Sequence, residues 1–196
     1  MTRVSGTVTG SQRYFAAVTL PQTVLDQLER LVEPRRDPVW RWTDSTGWHV
    51  TLAFYEQVEP WRYPLLVDNL RRAAARAQPF RIALSGAGAF PSHAAAKVLY
   101  APVSGGTRPL AGLAGHCRTA ATRVGISVPR QRYQPHLTLA RSRRPASAQR
   151  YLRALAGLET DGWEVTQMVL VQSFLGQGPA GSPRYQVAQR FGLAPG

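Results

Sequence analysis

One pentapeptide pattern occurs twice in the chain, as His49-Val50-Thr51-Leu52-Ala53 and as His136-Leu137-Thr138-Leu139-Ala140. At typical abundances of roughly 2% His, 5% Thr and 10% Leu, two chance H-x-T-L matches in a chain of this length arise in on the order of one sequence in several thousand. The repeat therefore constrains the fold. Residues two apart on a strand share a face, so each copy sets an imidazole beside a hydroxyl, His49 with Thr51 and His136 with Thr138. On the first strand, Ala53 is expected on that same face, with Val50, Leu52 and Phe54 on the other. Two such strands brought together form a pocket with approximate two-fold symmetry.

A pair of imidazoles and a pair of hydroxyls suit one kind of chemistry well. A neutral histidine takes a proton from attacking water, a protonated one gives a proton to a leaving oxygen, and the hydroxyls donate to the non-bridging oxygens of a phosphodiester. The residues alone do not say which histidine plays which part. The scheme needs no metal, and Cys117 is the only cysteine, which excludes an internal disulfide and a cysteine-based zinc cluster. No cofactor is expected. His93, in a Pro-Ser-His-Ala loop, and His116, beside an apolar helical stripe, fit surface or packing roles.

The 196 residues are 44% hydrophobic and 18% charged, which suits a folded domain rather than a disordered chain. The net charge is +13, nearly all of it from arginine. Such a field concentrates polyanions, although a general bias toward Arg and Ala would produce the same charge, so it does not by itself fix a function. No stretch has the apolar length of a signal peptide core or a membrane span. The expectation is a cytoplasmic, monomeric protein with no membrane contact, made of a loose tail over residues 1–12 and one bilobal domain over 13–196.

Hydrophobic periodicity supplies the elements. Strands are expected at Tyr14–Leu20, Trp48–Phe54, Phe80–Ala87, Val98–Val103, Gln134–Ala140, Val165–Phe174 and Tyr185–Phe191. Helices are expected after Pro21, where Val24, Leu28, Leu31 and Val32 recur, over Pro64–Ala77 and over Thr107–Val124 with Gly125 as its stop. A helix of about two turns or more should follow Pro145. The elements alternate without a Gly-rich phosphate fingerprint, which points to an α+β fold with mostly antiparallel sheets flanked by helices.

The paired H-x-T motifs resemble those of the 2H phosphoesterases, in particular the LigT/ThpR group of RNA 2′,3′-cyclic phosphodiesterases, also called the 2′-5′ RNA ligase family. Arg13-Tyr14-Phe15-Ala16-Ala17 with Leu20-Pro21, the Phe90-Pro91 turn, Tyr133-Gln134-Pro135 and Ser182-Pro183-Arg184-Tyr185 look like that group's pattern as well. The resemblance covers nearly the whole chain. It implies a two-lobed, pseudo-two-fold fold with a central cleft, His49 as proton donor and His136 as proton acceptor, and no metal. One departure is Trp48, directly before His49, where family members often have an acidic residue or Asn.

The partners this implies are RNA ends or cyclic-phosphate nucleotides, opened to the 2′-phosphomonoester. Two alternatives stay open: an esterase for another small cyclic nucleotide or a 2′-5′ linkage, and a non-catalytic RNA-binding module. Arg132, Tyr133 and Arg141 are the substrate-binding candidates, because a guanidinium grips a phosphate through two hydrogen bonds. Arg143 and Arg144 are weaker ones. One of Tyr133, Trp42, Trp48 and Trp61 is expected to stack on a base.

Overall fold

The computed structural model describes residues 10–129 and 132–195. Residues 1–9 of the expected tail lie outside the described residues, and Gln12 already begins the first strand. The strands are β1 (Gln12–Thr19), β2 (Arg41–Trp42), β3 (His49–Val58), β4 (Phe80–Leu84), β5 (Gly88–Phe90), β6 (Ala96–Ser104), β7 (His136–Ala146), β8 (Trp163–Val165), β9 (Gln167–Phe174) and β10 (Arg184–Gly192). The helices are α1 (Gln22–Val32), α2 (Tyr63–Ala74), α3 (Thr107–Thr122) and α4 (Gln149–Ala154).

The strands join in one curled antiparallel sheet of order β10-β9-β1-β3-β7-β6-β4-β8, with β2 on β7 and β5 on β6. Its middle is narrow. β3 and β7, the two motif strands, pair only at Val50 and Leu137, both fully buried. One step to either side of that pair, the antiparallel register brings His49 level with Thr138, and Thr51 level with His136. Beyond it the strands part, and β2 takes over the edge of β7, pairing Trp42 with Ala140 and Arg41 with Arg141. The cleft opens where they part.

Apolar stripes hold the helices to the sheet. In α2, Leu66, Val67, Leu70, Ala73 and Ala74 are buried, and α3 buries Leu110, Leu113, Ala114, Cys117, Ala120 and Ala121. These helices pack on each other, and α3 packs on β3, where the Tyr55 hydroxyl donates to the Cys117 carbonyl at 3.2 Å. Gly125 ends the α3 region at φ +72°, a conformation with little steric cost only for glycine. In α1, Val24, Leu28 and Val32 face the core.

Several elements depart from the sequence expectation. The strand expected over Val165–Phe174 is two strands parted at Thr166, because β8 pairs with β4 in one lobe and β9 with β1 in the other. The Thr166 carbonyl accepts from the Leu193 amide at this crossing, 2.8 Å away. α4 has only six residues, since β7 stays paired with β6 as far as Ala146 and takes up the chain that would have begun a longer helix. Phe54 does not share the core face of Val50 and Leu52. It is 44% exposed while Ala53 is buried, because β3 carries a β-bulge.

Both motifs carry that bulge at the same place. Opposite β3, Ala16 pairs with Ala53 and Ala17 with Thr51, which leaves Leu52 as the extra residue. Opposite β7, Leu99 pairs with Ala140 and Tyr100 with Thr138, which leaves Leu139. An extra residue shifts the alternation by one. Leu and Ala of each motif therefore both turn into the core, and the fifth residue after each histidine turns into the cleft. Those residues are Phe54 and Arg141.

Candidate active site

The cleft between the lobes has a volume of about 380 Å³, and His49, Thr51, His136 and Thr138 all line it. The duplicated motifs thus meet as the strand pattern predicts. Each imidazole is fixed in the same way: Nδ1 of His49 lies 2.7 Å from the Gly47 carbonyl, and Nδ1 of His136 lies 2.7 Å from the Gln134 carbonyl. A carbonyl oxygen only accepts, so Nδ1 carries the hydrogen in both rings. Nε2 is left on each side to exchange a proton in the cleft.

Aromatic walls surround both rings. Phe15 stacks on His49 at 4.5 Å between centroids, and Tyr185 stands edge-on to it at 5.5 Å. His136 meets the edges of Phe90 at 5.3 Å and Tyr100 at 5.2 Å, while those two rings stack on each other at 4.2 Å. Desolvation by these surroundings lowers the pKa of both histidines, and lowers His49 to about 4. The carbonyl acceptors of Gly47 and Gln134 oppose that shift, and the Arg141 charge adds to it.

Of the substrate-binding candidates, Arg141 lines the cleft, its guanidinium 3.5 Å from the Thr138 hydroxyl. Arg132 is exposed and lies outside the lining. Tyr133 is half-buried beneath the first motif, where its hydroxyl donates to the Thr51 carbonyl at 3.1 Å, and burial pushes its pKa up. Arg143 and Arg144 are exposed on the outward run of β7. None of the four aromatics expected to stack on a base lines the cleft. Trp48 is buried, which takes the departure before His49 out of the pocket; Trp42 packs against Tyr151, and Trp61 is exposed beneath the Arg62 guanidinium.

The aromatics that do line it are Tyr14, Phe15, Phe54, Tyr55 and Tyr185, with Arg13 and Glu56 at the rim. Phe54 was within reach of sequence reasoning: aligning the two motif copies sets it at the place of Arg141, five residues after the histidine. Among the described residues no group of three or more His, Cys, Asp or Glu side chains is placed to hold a metal ion. Cys117 is a free, buried thiol in the core of α3.

Comparison with known proteins decides the family. The 2′-5′ RNA ligase superfamily model matches residues 21–174. The chain belongs to the 2′-5′ RNA ligase superfamily. Among its relatives in that superfamily, the RNA 2′,3′-cyclic phosphodiesterase of Thermus thermophilus is 32% identical over 188 residues, 92% of this chain and 90% of the relative. The enzyme of the same name from Aeropyrum pernix is 32% identical over 149 residues, 74% of this chain and 83% of the relative. The fold of the superfamily agrees as well. The crystal structure of E. coli LigT superposes with a TM-score of 0.76 at 24% identity, covering 94% of this chain and 99% of that one. The crystal structure of TT0787 of Thermus thermophilus gives 0.75 at 28% identity, covering 92% and 97%. No described helix is long and apolar enough to cross a membrane.

Proposed function

We propose that this protein is an RNA 2′,3′-cyclic phosphodiesterase, which hydrolyses a 2′,3′-cyclic phosphate at an RNA end or on a nucleotide to the 2′-phosphomonoester. The observation that carries the reading is the identical anchoring of two histidines across one cleft, each with a free Nε2 and a threonine hydroxyl beside it. The curated relatives in the superfamily bear the name of that activity.

The scheme takes its donor and acceptor from the family resemblance and its contacts from the cleft. His136 Nε2, neutral, takes a proton from water as the water oxygen bonds to phosphorus. His49 Nε2, protonated, gives its proton to the ribose 3′ oxygen as the phosphorus–oxygen bond on the opposite side breaks. Thr51 and Thr138 donate hydrogen bonds to the non-bridging oxygens, where negative charge builds up, and Arg141 adds a guanidinium beside Thr138. The proton now on His136 returns to solvent and His49 is reprotonated, so the pair is restored.

The cyclic phosphate also supplies what the free cleft lacks. Burial leaves His49 neutral near pH 7, and a bound anion favours its protonated form. The donor is therefore charged in the complex rather than before it. All of these groups come from one chain, which supports action as a monomer. The deciding experiment is turnover of a nucleoside 2′,3′-cyclic phosphate by the purified protein, followed by phosphorus NMR. A 2′-phosphate product supports both the activity and the donor assignment; a 3′-phosphate product reverses the assignment, and no turnover removes the reading.

A further inference from the structure

β2 holds only Arg41 and Trp42, yet its register with β7 sets Arg41 directly across from Arg141. Directly opposed residues of an antiparallel pair project from the same face, and like charges so placed repel. Among the described residues neither guanidinium makes an ion pair. Among the described residues Glu56 is the one carboxylate lining the cleft, and it lies 3.8 Å from Arg13 instead. The fold thus sets two cations without an ion-pair partner across from each other, Arg141 in the cleft lining and touching a motif threonine, Arg41 on the adjoining strand outside that lining.

One cyclic phosphodiester carries a single negative charge. Seated between the histidines and threonines, it meets Arg141 and leaves Arg41 one strand spacing away, ~4.8 Å further along the sheet. We propose that Arg41 and Arg141 form a second anion subsite, which takes the phosphate on the 5′ oxygen of the ribose whose 2′,3′-cyclic phosphate is opened. This rests on the cyclic-phosphate reading and refines it. In RNA that phosphate is the internucleotide diester; in a mononucleotide it is a terminal 5′-phosphate. Both offer oxygens that fit the fork of a guanidinium. A bound phosphate also neutralises the cross-strand repulsion, so occupancy of the subsite and order in β2 favour each other.

The test compares wild-type protein with Arg41→Gln by calorimetric titration of a nucleoside 2′-monophosphate and the matching 2′,5′-bisphosphate. The wild type binds the bisphosphate more tightly. In Arg41→Gln that advantage falls by on the order of tenfold, the loss of about one charge-assisted hydrogen bond, while affinity for the monophosphate changes several-fold less. Arg41→Lys, which keeps the charge without the fork, retains part of the advantage. In turnover, Arg41→Gln raises KM for a dinucleotide ending in a cyclic phosphate far more than for a cyclic mononucleoside phosphate. Equal losses on both ligands, or none on either, overturn the subsite. A cyclic mononucleotide with a 5′-phosphate separates the sources: a dinucleotide affected more strongly marks the internucleotide diester as occupant, an equal effect marks the phosphate alone, and either keeps the subsite. Should the wild type open no cyclic phosphate, the functional reading falls, and the two titrations still decide the subsite.

Discussion

Val50 and Leu137 face each other at the only point where the two motif strands pair, and neither has any solvent exposure. Each is the residue after a motif histidine, so the pair marks the pseudo-two-fold axis on which the site is built. Leu137→Ala opens a cavity at that axis and is expected to cost about 2–5 kcal/mol of stability. Thermal unfolding checks it, and a shift of less than a degree or two removes the crossing from the stability of the fold.

Either histidine should be indispensable. His49→Ala and His136→Ala are each expected to lower the rate of cyclic-phosphate opening by at least about a hundredfold, the low end for loss of a positioned acid or base. Thr51→Val and Thr138→Val, which keep shape and remove the hydroxyl, should lower kcat by about 10²–10³-fold as lost donors to the developing charge. Near-native turnover in a variant with intact circular dichroism takes that residue out of the mechanism.

The pH dependence has a definite sign. Burial lowers both histidines, His49 to about 4, so the free protein carries few protons on the pair at pH 7. The singly protonated form grows as pH falls below the ordinary histidine value of about 6.5 and disappears once both rings are charged. The kcat/KM profile should therefore peak on the acid side of 6.5, and the kcat profile should lie at higher pH because the bound anion raises the donor. A stability effect accompanies it: the unfolded chain binds protons that the folded histidines refuse, so stability is full above about 6.5 and declines as pH falls toward 4. Superimposed kcat and kcat/KM profiles centred above 7 contradict this account.

The proposed scheme runs on proton transfer between side chains and water alone, so exhaustive treatment with EDTA is expected to leave the rate of ring opening unchanged. Loss of activity that added zinc or magnesium restores would require a different mechanism.

Gly88 stands across from Tyr100 in the β5–β6 pair, and a Cβ there would come within 2.3 Å of the Tyr100 ring. That ring lies against His136, and its hydroxyl accepts a hydrogen bond from the Gln134 side chain at 3.1 Å. Gly88→Ala must therefore displace the ring that lies against His136. The expected result is a fall in kcat on the order of tenfold to a hundredfold, with a smaller change in KM. Unchanged kcat would show that the ring moves without carrying His136 along.

Much of this site is legible in the sequence because strand periodicity is a local property. The repeat of His, Thr and Leu gives both His–Thr pairs of the cleft and their shared face. What alternation does not show is the bulge at Leu52 and Leu139, since an extra residue is defined by the partner strand and not by the chain that carries it. Alternation alone sets Phe54 on the wrong face for that reason. Arg41 is equally silent: two residues make no periodic pattern, and their meaning comes only from pairing with β7. The aromatic candidates lie outside the cleft lining for a different reason. Trp48 is apolar enough to serve core or pocket, and only the packing of the lobes sends it inward while Phe15 and Tyr185 close on His49. Thr166 likewise looks like the middle of a strand until the two lobes claim its neighbours.

In the proposed reaction, the shared bulge bears on which way round a substrate lies. A floor of two matched His–Thr pairs looks the same after a half-turn, so by itself it would accept a ribose cyclic phosphate in either of two opposite poses and make a mixture of isomers. The bulges place unlike residues at equivalent stations, an apolar ring at Phe54 and a cation at Arg141. A nucleotide is polar in the same sense, with a flat base at one end and a charged backbone at the other. Polarity is thus written in the walls, one residue per lobe, while the floor remains reversible.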